Sequence, residues 1–459
     1  MPCIKTISSY QVEILSNTDM KSTVQIYRRA LAFVIDVCNK EWGSIFVLGG
    51  TKEKDHYVEK LIHPTKNNPN PKYPFDIKGS EFYKFPSYLK RAVIAEAIGA
   101  VSSYRSNYKN WEDNGKRGNV PALQMDRYAM PVFYNKNMYK EDAPKNAKYP
   151  KGMNSGDDNV RWLKLYQNND WVWVSVKLRK TDIEYIDRCW NLYSDVSAPV
   201  LEKRHNKYYL RFSFTKVINL TDTPVEKQII CSVDLGINTD AVCSIMKADG
   251  TILARKFIDF PSDKDRMYRA MNRTRRKQSE YGPKSATSLW AYVRRLNEDR
   301  AKKISSAIMD FASQHSVDVI VMEHLDFKGR KKRGSKAQRL SVWNHAAIRE
   351  HVEHKAHLRG IRLSTICAWK TSALAFDGSG KVTRDKNNHA LAVFPSGKQY
   401  NCDLSASYNI GARYFIRELL KSLPATEASR VKAKIPDVGR RTSCTLSTLR
   451  ALVKELSAA

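Results

Sequence analysis

Three carboxylates stand where an apolar run ends or a helical pattern begins. Asp234 follows Ile229–Val233 and leads Leu235-Gly236-Ile237-Asn238. Glu323 follows Val317-Asp318-Val319-Ile320-Val321-Met322, and Asp403 opens Asp403-Leu404-Ser405-Ala406-Ser407-Tyr408-Asn409-Ile410. A carboxylate at the end of a buried strand needs a compensating charge, and oxygen ligands suit a hard cation such as Mg²⁺. Two such ions about 4 Å apart activate water and stabilise the leaving oxygen in phosphodiester hydrolysis. Each acid also has a plainer reading: a strand-end Asp serves as a turn residue, and an Asp opening a helix serves as its N-cap. Their joint order, 89 and 80 residues apart, is what points to one site.

The elements needed to bring the acids together are legible in the hydrophobic pattern. Ile229–Val233, Ala241–Met246 and Thr251–Phe257 read as strands, with Lys247-Ala248-Asp249-Gly250 as a hairpin turn. A long helix is expected over Ser288–Gln314, with Trp290, Val293, Leu296, Ile304, Ile308 and Phe311 on one face. The strand Val317–Met322, a helix near Val342–Arg359 and the strand Ile361–Ile366 complete a β-β-β-α-β-α-β order. That order fits an α/β domain, a ribonuclease-H-like mixed sheet flanked by helices. Upstream, Tyr10–Ile14, Trp171–Val176 and Lys207–Thr215 read as strands, while Ser22–Trp42 and Tyr88–Trp111 read as helices. The expected architecture is a mixed α/β and β multidomain chain. A β domain with a helical insertion over about 22–112 fills 1–226, the nuclease-like domain 227–423, and a basic tail 424–459, in which Thr445–Leu456 forms a short amphipathic helix.

These motifs resemble the split RuvC nuclease domain of transposon-encoded TnpB (OrfB) proteins and of the related CRISPR type V effectors. Asp234-Leu235-Gly236-Ile237-Asn238 is similar to the first RuvC motif, Ile320–Leu325 to the second and Asp403–Ile410 to the third. The likeness is carried by about 230–415; residues 1–226 match only in layout, similar to a wedge β-barrel with a helical recognition insertion. The resemblance implies an RNA-guided endonuclease that hydrolyses target DNA, with Asp234, Glu323 and Asp403 holding two Mg²⁺ ions. It also implies a guide RNA derived from the transposon end and double-stranded target DNA as partners. Base pairing then reads the sequence, while the protein reads a short adjacent motif and duplex shape.

One departure concerns zinc. In the family a Thr-Ser pair leads two C-x-x-C pairs. Here Thr371-Ser372 is present, but the cysteine positions hold Ala375, Gly378, Val393 and Ser396. Cys367, Cys402 and His389 remain nearby without a chelating pair, so no zinc is expected in the degenerate segment at about 367–402. The Gly-rich run Asp377-Gly378-Ser379-Gly380 together with Asp234-x-Gly236 also raises an actin-like ATPase reading.

Charge argues against that rival. The 459 residues carry 78 Lys and Arg against 47 Asp and Glu, a net charge of +31 that suits a polyanion. Arg266, Arg269, Arg273, Arg275, Arg276 and Lys277 form one basic run. Lys328, Arg330, Lys331, Lys332, Arg333, Lys336 and Arg339 form a second, directly after the Glu323 strand. Both runs are expected to meet the nucleic-acid backbone, although a charge run alone is equally a solvated face. The eight cysteines contain no C-x-x-C pair, and the first residues lack an apolar leader. A cytoplasmic, nucleoid-associated prokaryotic protein with free thiols and no membrane span is therefore expected, and monomer and dimer both stay open. Three alternatives to the TnpB-type endonuclease remain: a nuclease-silent RNA-guided DNA-binding regulator, a CRISPR type V effector, and a plain nucleic-acid-binding protein on a fossil nuclease fold.

Overall fold

The computed structural model describes residues 3–125, 128–144, 158–325, 343–385, 388, 390–440 and 442–458. The chain divides into two units, Ile7–Lys216 and Val217–Ala459 with Met1–Thr6. Lys328, Arg330, Lys331, Lys332, Arg333, Lys336, Arg339 and His389 lie outside the described residues.

The unit Ile7–Lys216 combines two small sheets with a helical insertion. Strand β1 is Cys3–Glu13, followed by helices α1 (Lys21–Lys40), α2 (Trp42–Phe46), α3 (Thr51–Ile62) and α4 (Ser87–Asp113). Then come β2 (Tyr139–Lys140), β3 (Val160–Gln167), β4 (Asp170–Lys177), α5 (Lys180–Leu192), β5 (Asp195–Val196), β6 (Val200–Arg204) and β7 (Lys207–Asn219). One sheet has the order β1-β7-β5 with β6 also on β7; the other has the order β2-β3-β4. Helix α1 buries Val24, Tyr27, Leu31, Val34, Ile35 and Cys38, the stripe its sequence spacing marks. Phe75, Phe82 and Phe85 pack on one another, and Phe85 meets Trp171 of β4 edge-on at 5.5 Å. Trp162 and Trp171 are core residues. Helices α3 and α5 and strand β3 are additions to the elements read from the sequence.

The second unit is a three-layer α/β body. It runs β8 (Ile229–Leu235), β9 (Ala241–Lys247), β10 (Ile252–Ile258), α6 (Pro261–Tyr281), α7 (Thr287–Gln314), β11 (Val319–His324), α8 (His345–His357) and β12 (Arg362–Cys367). Three short strands follow, β13 (Thr383–Arg384), β14 (Leu391–Val393) and β15 (Gln399–Asn401), then α9 (Cys402–Ser422), α10 (Ala425–Lys434) and α11 (Leu446–Ser457). The sheet order is β10-β9-β8-β11-β12, with β8, β11 and β12 parallel and β9 antiparallel to both its neighbours, β8 and β10. Both faces are covered, which is why the central strands read as continuous apolar runs. Cys231, Val233, Ile320 and Met322 pack under α7 and α8, while Ile230, Val319 and Val321 pack under α9 and α11.

Two departures from the sequence reading have physical causes. Between β10 and α7 lies a helix, α6, where the sequence shows mainly a basic run. Pro261 opens it and Gly282, at φ +84°, ends it. Its apolar side is only Met267 and Met271, which meet Val293 of α7 and give a weak periodic signal. Residues beyond Leu423 are not a loose tail. Leu446, Leu449 and Leu452 of α11 and Val431 of α10 join the core under the sheet, with α11 capped by the Thr445 side chain.

Candidate functional site

The parallel strands β8 and β11 deliver two acids to the same end of the sheet. Asp234 is the next-to-last residue of β8 and Glu323 the next-to-last of β11. Asp403 is the second residue of α9. It is not the cap of that helix, because the Asn401 side chain accepts the bond from the Leu404 amide at 2.9 Å. The Asp403 carboxylate is thereby left to the cavity. All three acids line one open cavity of about 530 Å³, together with Arg384, Thr371, Lys370 and Trp369.

Local structure holds each acid. After Asp234 the chain turns so tightly that a Cβ on Gly236 would stand 2.5 Å from the Thr239 carbonyl oxygen, so only glycine fits. Buried Asp240 anchors that turn by accepting from Arg300 and from the Phe260 amide at 2.9 Å. The Thr371 hydroxyl donates to Glu323 Oε1. Helix α9 is seated against β8 and β9 through buried hydroxyls. Ser407 Oγ donates to Ser244 Oγ at 3.1 Å, and Ser244 and Ser232 hydroxyls meet at 2.8 Å.

The electrostatics are those of an under-neutralised acid cluster. Burial pushes the Asp234 carboxyl well above the usual range, and the charges of Glu323 and Asp403 push it further; Arg384 opposes them. Burial also raises Glu323, against the Thr371 hydrogen bond and the Arg413 charge, and raises Asp403 against Arg384. Carboxylates driven up in this way seek a cation. The donor set is all oxygen, which fits Mg²⁺. Among the described residues no three His, Cys, Asp or Glu side chains meet closely enough to ligate one ion together; the acids surround the cavity.

The segment at about 367–402 is closed by apolar packing. Ala375, Ala392, Phe394 and Cys402 are buried together, with Phe376 and Tyr400 packed on them. Asp377 joins its two turns, accepting from the Ser379 amide at 3.0 Å and from Ser396 Oγ at 2.7 Å. Gly378 and Gly380 adopt φ +80° and +127°, which the turn requires. All eight cysteines are free; Cys3 and Cys367 are exposed and the other six buried.

The basic run on α6 divides. Arg266, Arg269 and Arg273 share one helix face and line a second cavity of about 470 Å³ beside Tyr292 of α7, and Arg266 Nε donates to the Tyr292 hydroxyl at 3.1 Å. Arg275, Arg276 and Lys277 are not part of that lining; Arg276 pairs with Glu280 at 2.9 Å. Sequence reasoning missed Arg384 and Trp369. Arg384 sits on a two-residue strand, and only the tertiary fold sets it beside Asp403. No helix among the described residues is long and apolar enough to cross a membrane.

The Aq_aa04 family model matches residues 8–166, within the unit that carries the helical insertion. An uncharacterised protein of Aquifex aeolicus (strain VF5), aq_aa04, is 34% identical over 127 residues, covering 25% of this chain and 68% of that protein. The chain belongs to the Aq_aa04 family. A second Aquifex aeolicus protein, the TnpB-like protein aq_aa05, is 24% identical over 238 residues, 47% of this chain and 77% of the relative. Among solved structures, the Cas12f1–sgRNA–target DNA complex matches with a TM-score of 0.50 and 16% identity, over 85% of this chain and 80% of that one. CasPhi-2 (Cas12j) bound to crRNA and phosphorothioate DNA matches with a TM-score of 0.52 and 10% identity, over 89% and 91%. At these identities the likeness is one of fold: a mixed α/β multidomain architecture shared with Cas12 effectors. This family member is thus similar in sequence to a TnpB-like protein and in fold to Cas12 effectors.

Proposed function

We propose that this protein is an RNA-guided DNA endonuclease of the TnpB type, hydrolysing phosphodiester bonds at the cavity that Asp234, Glu323 and Asp403 surround. The observation that carries the reading is the convergence of these three acids, from β8, β11 and α9, on one open cavity. Asp234, Glu323 and Asp403 are the residues that would hold Mg²⁺, which would supply water activation and charge for the departing 3′ oxygen. The chain's own groups do the rest. Thr371 fixes the Glu323 carboxylate through its hydroxyl. Arg384 and Lys370 line the same cavity as cations for the phosphate at the cut. Arg266, Arg269 and Arg273 offer a second cationic surface for a nucleic-acid backbone. The relatives were solved with guide RNA and DNA, which supports a guide RNA and double-stranded DNA as partners here.

The test begins with the RNA that co-purifies when the gene is expressed with its native flanking DNA. One dominant RNA from the 3′ flank, directing Mg²⁺-dependent cutting of matched DNA, is expected. Asp234→Ala should abolish cutting and leave RNA binding nearly intact. Cutting retained by that variant would overturn the site assignment.

A further inference from the structure

We propose that Trp369 is a stacking platform for an unpaired nucleobase of the DNA strand entering the cavity, next to the phosphodiester to be cut. The inference rests on the nuclease reading of that cavity and adds a base-binding subsite to it. Trp369 is 59% exposed and lines the cavity with the three acids. Among the described residues no aromatic ring or cation stacks on its indole.

An isolated exposed tryptophan would mean little on a loose loop. This loop is fully tied down. Five successive carbonyls, from Cys367 to Thr371, are each engaged. Arg413 Nη1 donates to Cys367 and to Trp369, both at 2.9 Å. The Thr371 hydroxyl lies 3.1 Å from the Ala368 carbonyl, the Ala373 amide donates to Lys370 at 3.3 Å, and Asn409 Nδ2 donates to Thr371 at 3.0 Å. Lys370 is held at φ +63°, a conformation a non-glycine residue keeps only where its surroundings impose it. The backbone is thus rigid while its largest apolar side chain is left in solvent at the cavity. That is preorganisation for a ligand with a flat apolar face. Lys370 beside it and Arg384 in the same lining are cations that can meet a phosphate next to such a face. A nucleotide has both features, and base–aromatic stacking tolerates any base.

The experiment uses the guide-loaded protein, matched DNA, and the same DNA carrying one abasic nucleotide at each position flanking the cut in turn. Trp369→Ala should lower single-turnover cutting of normal DNA about 10-fold, while Trp369→Phe keeps most of the rate. At one position the abasic DNA should cost the wild type a similar factor and cost Trp369→Ala nothing more. Unchanged cutting by Trp369→Ala would overturn the proposal. So would losses from the variant and the abasic site that multiply at every position, or Trp369→Phe as impaired as Trp369→Ala. Melting curves of the variants matching the wild type exclude a folding defect. If the wild-type complex cuts no DNA at all, the nuclease reading falls, and the subsite with it; a cutting wild type with an indifferent Trp369→Ala sinks only the subsite.

Discussion

Replacing Asn409 by alanine perturbs a side chain that joins the Glu323-holding loop to the C-terminal helix. Asn409 is fully buried in α9. Its Nδ2 donates to the carbonyls of Thr371 at 3.0 Å and Leu374 at 2.9 Å, and its Oδ1 accepts from the Leu446 amide at 3.3 Å. Truncation leaves two carbonyls and one amide without partners in a dry interior. At about 1–1.5 kcal/mol for each bond lost, the variant should be about 3–4.5 kcal/mol less stable. A unit of this size moves about 2–4 °C per kcal/mol, so its melting transition should fall by about 6–18 °C. Calorimetry on the full chain reads that shift. Asn409→Asp keeps the acceptor for Leu446 but loses both donors and buries a charge, so it should fall at least as far. A loss under about 1 kcal/mol for Asn409→Ala would refute the claim that this amide ties the two segments together.

The raised carboxyls carry a pH prediction. Metal-free folded protein holds a proton on Asp234 more tightly than the unfolded chain does. Its contribution to stability therefore declines as pH rises from the unfolded value near ~4 through the folded one, and the penalty is complete above it. Asp234→Asn, in chelator, should match the wild type at low pH and become progressively more stable than it as pH rises. Urea melts across that range that show a pH-independent difference would contradict the cause assigned here. The apolar closure of the 367–402 segment predicts that purified protein contains no stoichiometric zinc by elemental analysis, and that Phe376→Ala lowers the melting temperature where prolonged chelation does not. One zinc per chain would overturn the apolar closure.

The local pattern of the chain was enough to mark the acids and the strands that bear them. Asp234 and Glu323 each end an apolar run, and such runs are continuous because β8 and β11 are buried on both faces. The gap left by missing cysteines at Ala375, Gly378, Val393 and Ser396 was likewise visible as residue types. What fills that gap was not, since it depends on Phe376, Phe394 and Tyr400 meeting in space. The same limit applies to the site itself. That Asn401 rather than Asp403 caps α9 is decided by which side chain turns toward the Leu404 amide. Arg384 reaches Asp403, and Arg413 and Asn409 reach the Trp369 loop, across 19 to 46 residues of sequence, where no periodicity records a partner. The fate of residues 424–459 was decided the same way. Their leucine spacing permits an amphipathic helix, but only the packed α9 offers the apolar face that makes α11 part of the core. Local spacing encodes which face of an element is apolar; which elements share that face, and which polar groups are trapped between them, exists only once the chain has folded.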